Sequence, residues 1–164
     1  MRTTWNFHVP GQLTFGPRAV RQLGGLMARR KIRRALLITD TNLVQAGIAQ
    51  RVLIPLAEAG LVVETCDGGE AEPSMAAALR VIESARHFQP DALIGLGGGS
   101  NMDLAKVTAV VITHGGELRD YFGFDRVPGP VLPLVCVPTT AGTGSEVSHA
   151  AVLTDTANHV KVSI

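Results

Sequence analysis

A run of three glycines followed by serine, Gly97-Gly98-Gly99-Ser100, carries the clearest chemical signal in the sequence. It lies directly after the apolar stretch 92–96 and directly before a segment whose apolar residues have helical spacing. Successive glycines let phosphate oxygens approach the backbone, and a helix start offers free N–H groups and the positive end of a dipole. A tight turn with positive φ is the structural alternative, but three adjacent glycines exceed what a turn needs. The run therefore favours a site for a diphosphate.

A second polar segment, residues 138–147, follows the next apolar stretch. Its hydroxyl groups belong to Thr139, Thr140, Thr143 and Ser145. Hydroxyls at the carboxyl end of a strand can bind ribose, phosphate or the amide of a nicotinamide ring. A Ser/Thr turn that caps a short helix is the alternative. Ser145 is not a nucleophile elbow, because Val147 stands where Gly-x-Ser-x-Gly requires the second glycine.

Two aspartates lie at predicted junctions between strands and helices. Asp103 comes three residues after Ser100, which predicts that Ser100 caps the helix in a box with Asp103. Asp40 ends the apolar stretch 35–39, where a carboxylate could accept both ribose hydroxyls and repel a 2′-phosphate. Capping the next helix is the more frequent role of an isolated aspartate there. Asp40 precedes the glycines, and Ser100 occupies the third glycine of Gly-x-Gly-x-x-Gly, so the usual dinucleotide fingerprint is not matched.

No catalytic or metal-binding residue can be named from the spacing of candidate ligands. The five histidines show no pair at i, i+3 or i, i+4, and neither Cys66 nor Cys136 has a Cys-x-x-Cys partner. Both cysteines lie in apolar stretches, which predicts buried free thiols. The histidines are His8, His87, His114, His149 and His159.

Short apolar stretches alternate with helical patterns, which predicts an α/β fold: a Rossmann-like parallel sheet with helices on both faces. The predicted strands are 35–39, 61–66, 92–96 and 132–137, and the predicted helices are 19–30, 42–60, 74–85 and 100–115. Pro55 is expected to kink the second helix or to begin a new one. An N-terminal strand pair is predicted around Pro10-Gly11, and a C-terminal β-hairpin over 150–164 around Asn158.

Composition excludes a disordered chain, because 46% of the residues are hydrophobic and 18% are charged. No apolar run reaches the length of a membrane span, and no signal peptide is evident, so the cytoplasm is expected. The basic cluster 29–34 could bind nucleic acid, but no aromatic residue lies between its basic side chains. A helix C-terminus, which cations stabilise, is the favoured interpretation, and no nucleic-acid partner is expected. Because the chain stops inside a predicted strand, we expect it to be part of a longer protein.

Together the two polar segments resemble a known family. Residues 97–106 read GGGSNMDLAK and residues 138–147 read PTTAGTGSEV, which are similar to the paired signatures of iron-containing (group III) alcohol dehydrogenases. Phe15-Gly16 and Thr39-Asp40 also fall where that family has them. The chain departs from the pattern at Glu72, where several members have Asn before the proline.

The resemblance implies that residues 1–164 form the N-terminal NAD(P)-binding domain of such an enzyme, with NAD as the cofactor and NADP as a possibility. Asp40 would lie near the adenosine ribose, and Val152 and Lys161 would flank the cofactor on the hairpin. The cofactor-binding residues implied are Asp40, Gly97, Gly98, Gly99, Ser100, Asp103, Thr139, Thr140, Thr143, Ser145, Val152 and Lys161.

The rest of the enzyme follows from the same resemblance. Iron or zinc would be bound by a helical C-terminal domain absent from this chain, through residues beyond Ile164. The substrate would be a small alcohol or aldehyde, and the assembly a homo-oligomer. Maleylacetate reductases and glycerol-dehydrogenase-like relatives share the fold and stay open as alternatives. A non-catalytic nucleotide-binding module is the alternative from another class.

Overall fold

The structure, a computed structural model, describes residues 11–164. The first strand of the predicted N-terminal pair, residues 5–9, lies outside the described residues. Leu13 and Phe15, expected in its second strand, lie in irregular backbone and are largely exposed.

In the described part of the chain, four parallel strands form the central sheet, as the alternating pattern predicts. They are β1 (Arg34–Ile38), β2 (Val62–Cys66), β3 (Ala92–Gly97) and β4 (Leu134–Pro138). Their order is β2-β1-β3-β4, with every neighbouring pair parallel. The α/β fold predicted from the sequence is therefore confirmed.

Residues 11–164 form five α-helices. They are α1 (Leu23–Arg29), α2 (Thr41–Gln45), α3 (Ile48–Glu58), α4 (Met75–Phe88) and α5 (Gly99–His114). Leu36 and Ile38 of β1 point to the face covered by α4 and α5, and Ala35 and Leu37 point to the face covered by α1 and α3. Because successive strand residues alternate between faces, each buried strand supplies both cores. The described residues also form three short 3-10 helices, which span Ala19–Gln22, Leu118–Tyr121 and Ser145–Val147.

The helix predicted over 42–60 is two helices, and the break is not at Pro55. Gly47 has φ of 70° and separates α2 from α3, whereas Pro55 lies inside α3. A left-handed glycine ends the first helix, so the chain reorients there before proline is reached. The segment predicted as a helix over 19–30 likewise divides into a 3-10 turn and α1.

The basic cluster 29–34 takes structural positions. Arg29 ends α1. Arg34 begins β1, lies over the Phe88 ring at 4.3 Å and donates to the Phe88 carbonyl at the end of α4. Arg29 thus lies at a helix C-terminus, as the favoured interpretation expects, whereas Arg34 belongs to a strand.

The predicted C-terminal hairpin is confirmed. Strands β5 (Val152–Asp155) and β6 (Val160–Ser163) pair antiparallel, and Asn158 lies in the turn between them. The Asp155 carboxylate accepts from the backbone of Ala157 and from the Asn158 amide, which fixes that turn. Buried Leu153 anchors the hairpin in the core shared by α4 and α5. Among residues 11–164 no helix is long and apolar enough to cross a membrane.

Candidate functional site

The strand order creates a crevice at the carboxyl edge of the sheet. The chain leaves β1 toward the face covered by α3, and leaves β3 toward the face covered by α5. Because β1 and β3 are neighbours, the two connections diverge between them. Ligands of open α/β sheets bind at such topological switch points. Asp40 follows β1 and the glycine run follows β3, so the topology places both predicted features at this point.

Gly98 is the open position of the glycine-rich turn. Gly97 has φ of 142°, where a side chain would be strained. Gly98 has ordinary φ of −75° and begins α5 as its N-cap. A Cβ built on Gly98 would meet nothing closer than the Thr140 hydroxyl at 3.6 Å. The turn therefore leaves uncovered space in front of the start of α5.

The expected capping box of Ser100 and Asp103 is wrong. Because Gly98 is the N-cap, Ser100 already lies inside the helix and cannot cap it. Its hydroxyl instead donates to the Ala71 carbonyl at 2.5 Å, which joins α5 to the segment after β2. Asp103 faces the second polar segment and takes no part in capping.

Asp40 caps α2, which is the role the sequence favours for an isolated aspartate. Its Oδ1 accepts from the Leu43 N–H at 3.0 Å. Its Oδ2 accepts from the Asn101 amide at 2.8 Å. Each carboxylate oxygen can accept more than one hydrogen bond, so this contact pattern is compatible with a ribose ligand as well.

The second polar segment divides into exposed and buried hydroxyls. Thr139, Thr140 and Thr143 are exposed. Thr139 donates its backbone N–H to the Gly97 carbonyl at 2.9 Å, which continues the pairing of β3 with β4. Ser145 is buried, and its hydroxyl donates to Asp103 Oδ1 at 2.6 Å.

A buried lysine, Lys106, organises this region. Lys106 Nζ donates to the Ala150 carbonyl at 2.7 Å and to the Ser145 hydroxyl at 2.8 Å. It also forms an ion pair of 3.3 Å with Asp103, whose other oxygen accepts from the Val152 N–H at 3.0 Å. The pair ties α5 to the second segment and to the start of β5. Its only sequence signal is that both residues belong to the first family motif.

A cleft of about 390 Å³ lies between the helix start, the second segment and the hairpin. It brings together seven of the predicted site residues. These are Gly99, Ser100, Asp103, Thr143, Ser145, Val152 and Lys161. The other five, Asp40, Gly97, Gly98, Thr139 and Thr140, do not line it and lie at the adjoining strand ends. A second cavity of about 330 Å³, near the C-terminal end of α5, is lined by none of the predicted residues.

The same edge of the sheet leaves hydrogen-bonding capacity unused. Thr39 Oγ1 and Glu146 Oε2 are buried without a hydrogen-bond partner among residues 11–164. Lys161 lies 3.6 Å from Glu72, and both side chains are largely exposed. Exposed hydroxyls, open backbone and unpartnered oxygens at one edge fit a large polar ligand such as a dinucleotide.

The described residues do not fit a metal. Within 11–164 no group of three or more His, Cys, Asp or Glu side chains is close enough to hold an ion. Cys66 and Cys136 are free thiols, as predicted, although each is only partly buried. Burial raises the pKa of both thiols, so neither is an activated thiolate.

The fold and the site at the carboxyl edge of the sheet define an α/β protein with a Rossmann-like sheet and a glycine-rich turn at its switch point. Residues 10–164 match the family model described as iron-containing alcohol dehydrogenase, and the chain belongs to that family. The resemblance seen in the two motifs is thereby confirmed.

Individual relatives agree with this assignment. The chain is 35% identical over 159 residues to an NAD-dependent methanol dehydrogenase of Bacillus methanolicus. This alignment covers 97% of this chain and 42% of that protein. A 1,3-propanediol oxidoreductase structure superposes with a TM-score of 0.94 at 36% identity, over 98% of this chain and 42% of the other. The structure of a sulfoacetaldehyde reductase from Bifidobacterium kashiwanohense in complex with NAD+ superposes with a TM-score of 0.86 at 28% identity. That superposition covers 99% of this chain and 43% of the other. The chain thus spans about two fifths of these relatives' length.

Proposed function

We propose that this chain is the NAD-binding part of an alcohol dehydrogenase that transfers hydride between a small alcohol or aldehyde and the cofactor. The observation that carries the proposal is the open turn at Gly98, placed at the switch point between β1 and β3. Family membership supplies the reaction class. When bound, the nicotinamide ring would supply the hydride chemistry, and the residues of this chain would bind and orient it.

The pyrophosphate would lie against the turn 97–100. The first N–H groups of α5 have no partner within the helix and carry its positive dipole end. The absence of a side chain at Gly98 lets phosphate oxygens approach them. Gly97 and Gly99 shape the turn, and the Ser100 hydroxyl holds it against Ala71.

The adenosine ribose would meet Asp40 at the end of β1. An ionised carboxylate accepts hydrogen bonds from the two ribose hydroxyls of NAD, and it repels the 2′-phosphate of NADP. NAD is therefore the proposed cofactor, with NADP as the weaker ligand.

The nicotinamide end would occupy the cleft between the second segment and the hairpin. Exposed Thr139, Thr140 and Thr143 offer hydroxyls to the ring amide and its ribose. Asp103 and Ser145 line the cleft and hold its wall through their mutual hydrogen bond. Val152 and Lys161 border it from the hairpin.

By the family resemblance, residues beyond Ile164 would bind the metal of the enzyme, and residues 11–164 bring together no group of three His, Cys, Asp or Glu side chains that could hold it. Iron is the metal that the family name supports, and zinc is an alternative. A homo-oligomer and a cytoplasmic location stay expectations from the sequence.

Calorimetric titration of the purified chain tests the proposal, with NAD+, ADP-ribose and a sugar phosphate as the ligands. We expect NAD+ and ADP-ribose to bind and the sugar phosphate to bind much more weakly. Binding of the sugar phosphate alone would favour a non-catalytic module instead. No binding of NAD+ or ADP-ribose by the folded chain would overturn the proposal.

A further inference from the structure

We propose that Asn101 is a positioning residue for cofactor choice, because its amide fixes the Asp40 carboxylate that faces the ribose. The inference rests on the proposed NAD site. Asn101 lies between Ser100 and Asp103 in the first motif, and its spacing alone indicates no role.

Both amide protons of Asn101 are in use. Nδ2 donates to Asp40 Oδ2 at 2.8 Å and to the Leu96 carbonyl at 2.9 Å. A side-chain amide has two N–H donors, so these two contacts account for both. The residue is 3% exposed, which keeps water from competing for either contact. Asn101 therefore bonds the end of β3 to the residue that follows β1.

Two glycines leave room for this amide. A Cβ built on Gly97 would lie 2.2 Å from Asn101 Nδ2, and a Cβ on Gly69 would lie 2.1 Å from Asn101 Oδ1. Gly69 is itself joined to the end of β1, because its N–H donates to the Thr39 carbonyl at 2.9 Å. The amide thus fills a notch between the ends of three strands, and only glycine at both positions allows it.

The consequence falls on the rotation of the Asp40 carboxylate. The terminal torsion of aspartate is broad, so a single hydrogen bond from Leu43 leaves the group free to turn. The second bond, from Asn101 to the other oxygen, fixes its plane. Asn101 is also uncharged, so it orients the carboxylate without cancelling the charge that repels a 2′-phosphate. Lysine or arginine in place of Asn101 would orient the Asp40 carboxylate but would also neutralise its charge.

The dissociation constants of NAD+ and NADP+ test the inference in the parent chain and in Asn101→Ala. We expect the ratio Kd(NADP+)/Kd(NAD+) to fall about fivefold or more in Asn101→Ala, since the freed carboxylate no longer presents a fixed acceptor pair. Asn101→Ser keeps a hydroxyl donor and fits the notch; it should fall between parent and Asn101→Ala. It also serves as the test if Asn101→Ala does not fold.

Thr108→Val is the matched control. Thr108 is buried in the same helix, and its hydroxyl bonds only to the Leu104 carbonyl among the contacts described. The substitution should lower stability while leaving the cofactor ratio unchanged, which separates positioning from general destabilisation. An unchanged ratio in folded Asn101→Ala and Asn101→Ser, with NAD+ binding intact, would overturn this inference alone. A parent chain that binds no NAD+ would overturn the proposed function, and the inference with it.

Discussion

The carboxylate of Asp103 accepts a hydrogen bond of 2.6 Å from the hydroxyl of Ser145, 42 residues further along the chain. This contact joins the early part of α5 to the second polar segment. The same carboxylate pairs with Lys106 and accepts from the Val152 N–H. The two family motifs are therefore joined by hydrogen bonds, and a substitution in one motif should perturb the structure of the other.

Lys106→Met should destabilise the fold strongly. Removing one partner of a buried ion pair leaves the other charge uncompensated, which costs about 3–5 kcal/mol. The Lys106 and Asp103 side chains are 9% and 14% exposed, so solvent screens them little. Urea denaturation measures the loss.

Arg80→Ala is the matched comparison for that substitution. Arg80 and Glu70 form an ion pair at 2.7 Å, but their side chains are 58% and 40% exposed. An exposed pair of this kind contributes about 0–1 kcal/mol. Equal losses of unfolding free energy in Lys106→Met and Arg80→Ala would contradict a special role for the buried pair.

Gly98→Val should weaken NAD binding without unfolding the chain. Its φ is ordinary, and the nearest atom to an added Cβ is at normal contact distance, so the fold should accept a side chain. The same side chain would stand where phosphate oxygens must approach. Calorimetry should show at least about a tenfold loss of NAD+ affinity, corresponding to about 1.4 kcal/mol. Unchanged NAD+ affinity in the folded variant would place the pyrophosphate elsewhere.

Asp40 should make the chain prefer NAD over NADP. A 2′-phosphate at about 4 Å from the carboxylate would cost about 4 kcal/mol per unit charge at an effective dielectric constant of about 20. Asp40→Gly removes the charge, but it also removes the cap of α2, so Asp40→Asn is the cleaner variant. Both should gain NADP+ affinity relative to NAD+. Equal affinities for the two cofactors in the parent would refute the prediction.

Acid should destabilise the chain partly through Asp91. Hydrogen bonds from the backbone N–H groups of Arg33 and Arg34 hold the pKa of Asp91 below its ordinary value. Because the folded pKa is lower than the unfolded one, this stabilisation is present above about pH 4 and is lost as pH falls through the folded value. Asp91→Asn should therefore be less stable than the parent near neutral pH, and the difference should shrink as the pH falls below about 4. A constant difference over that range would contradict the assignment.

The sequence predicted the sheet, its parallel direction and the hairpin, because apolar stretches and turn residues act locally. The helix break near Gly47 and the start of α5 were misplaced. Glycine is compatible with both a turn and a helix cap, so its presence alone does not indicate which of the two forms. The sequence also left Asn101 and Lys106 without roles. Their partners lie 61 residues back at Asp40 and 39 residues ahead at Ser145, and such contacts exist only after the strands are ordered side by side.

The 164-residue chain by itself should show no alcohol dehydrogenase turnover and should bind no stoichiometric iron or zinc. A catalytic metal site needs about three protein ligands converging on one point, and residues 11–164 bring no such group together. Without the polarising centre and a closed, dry cleft, bound NAD+ would have no activated alcohol to accept hydride from. The measurement is NADH formation with a panel of short alcohols and diols, beside metal analysis after dialysis. Turnover at the rate of the family's full-length enzymes, or one tightly held iron per chain, would show that the catalytic centre lies in this part of the protein.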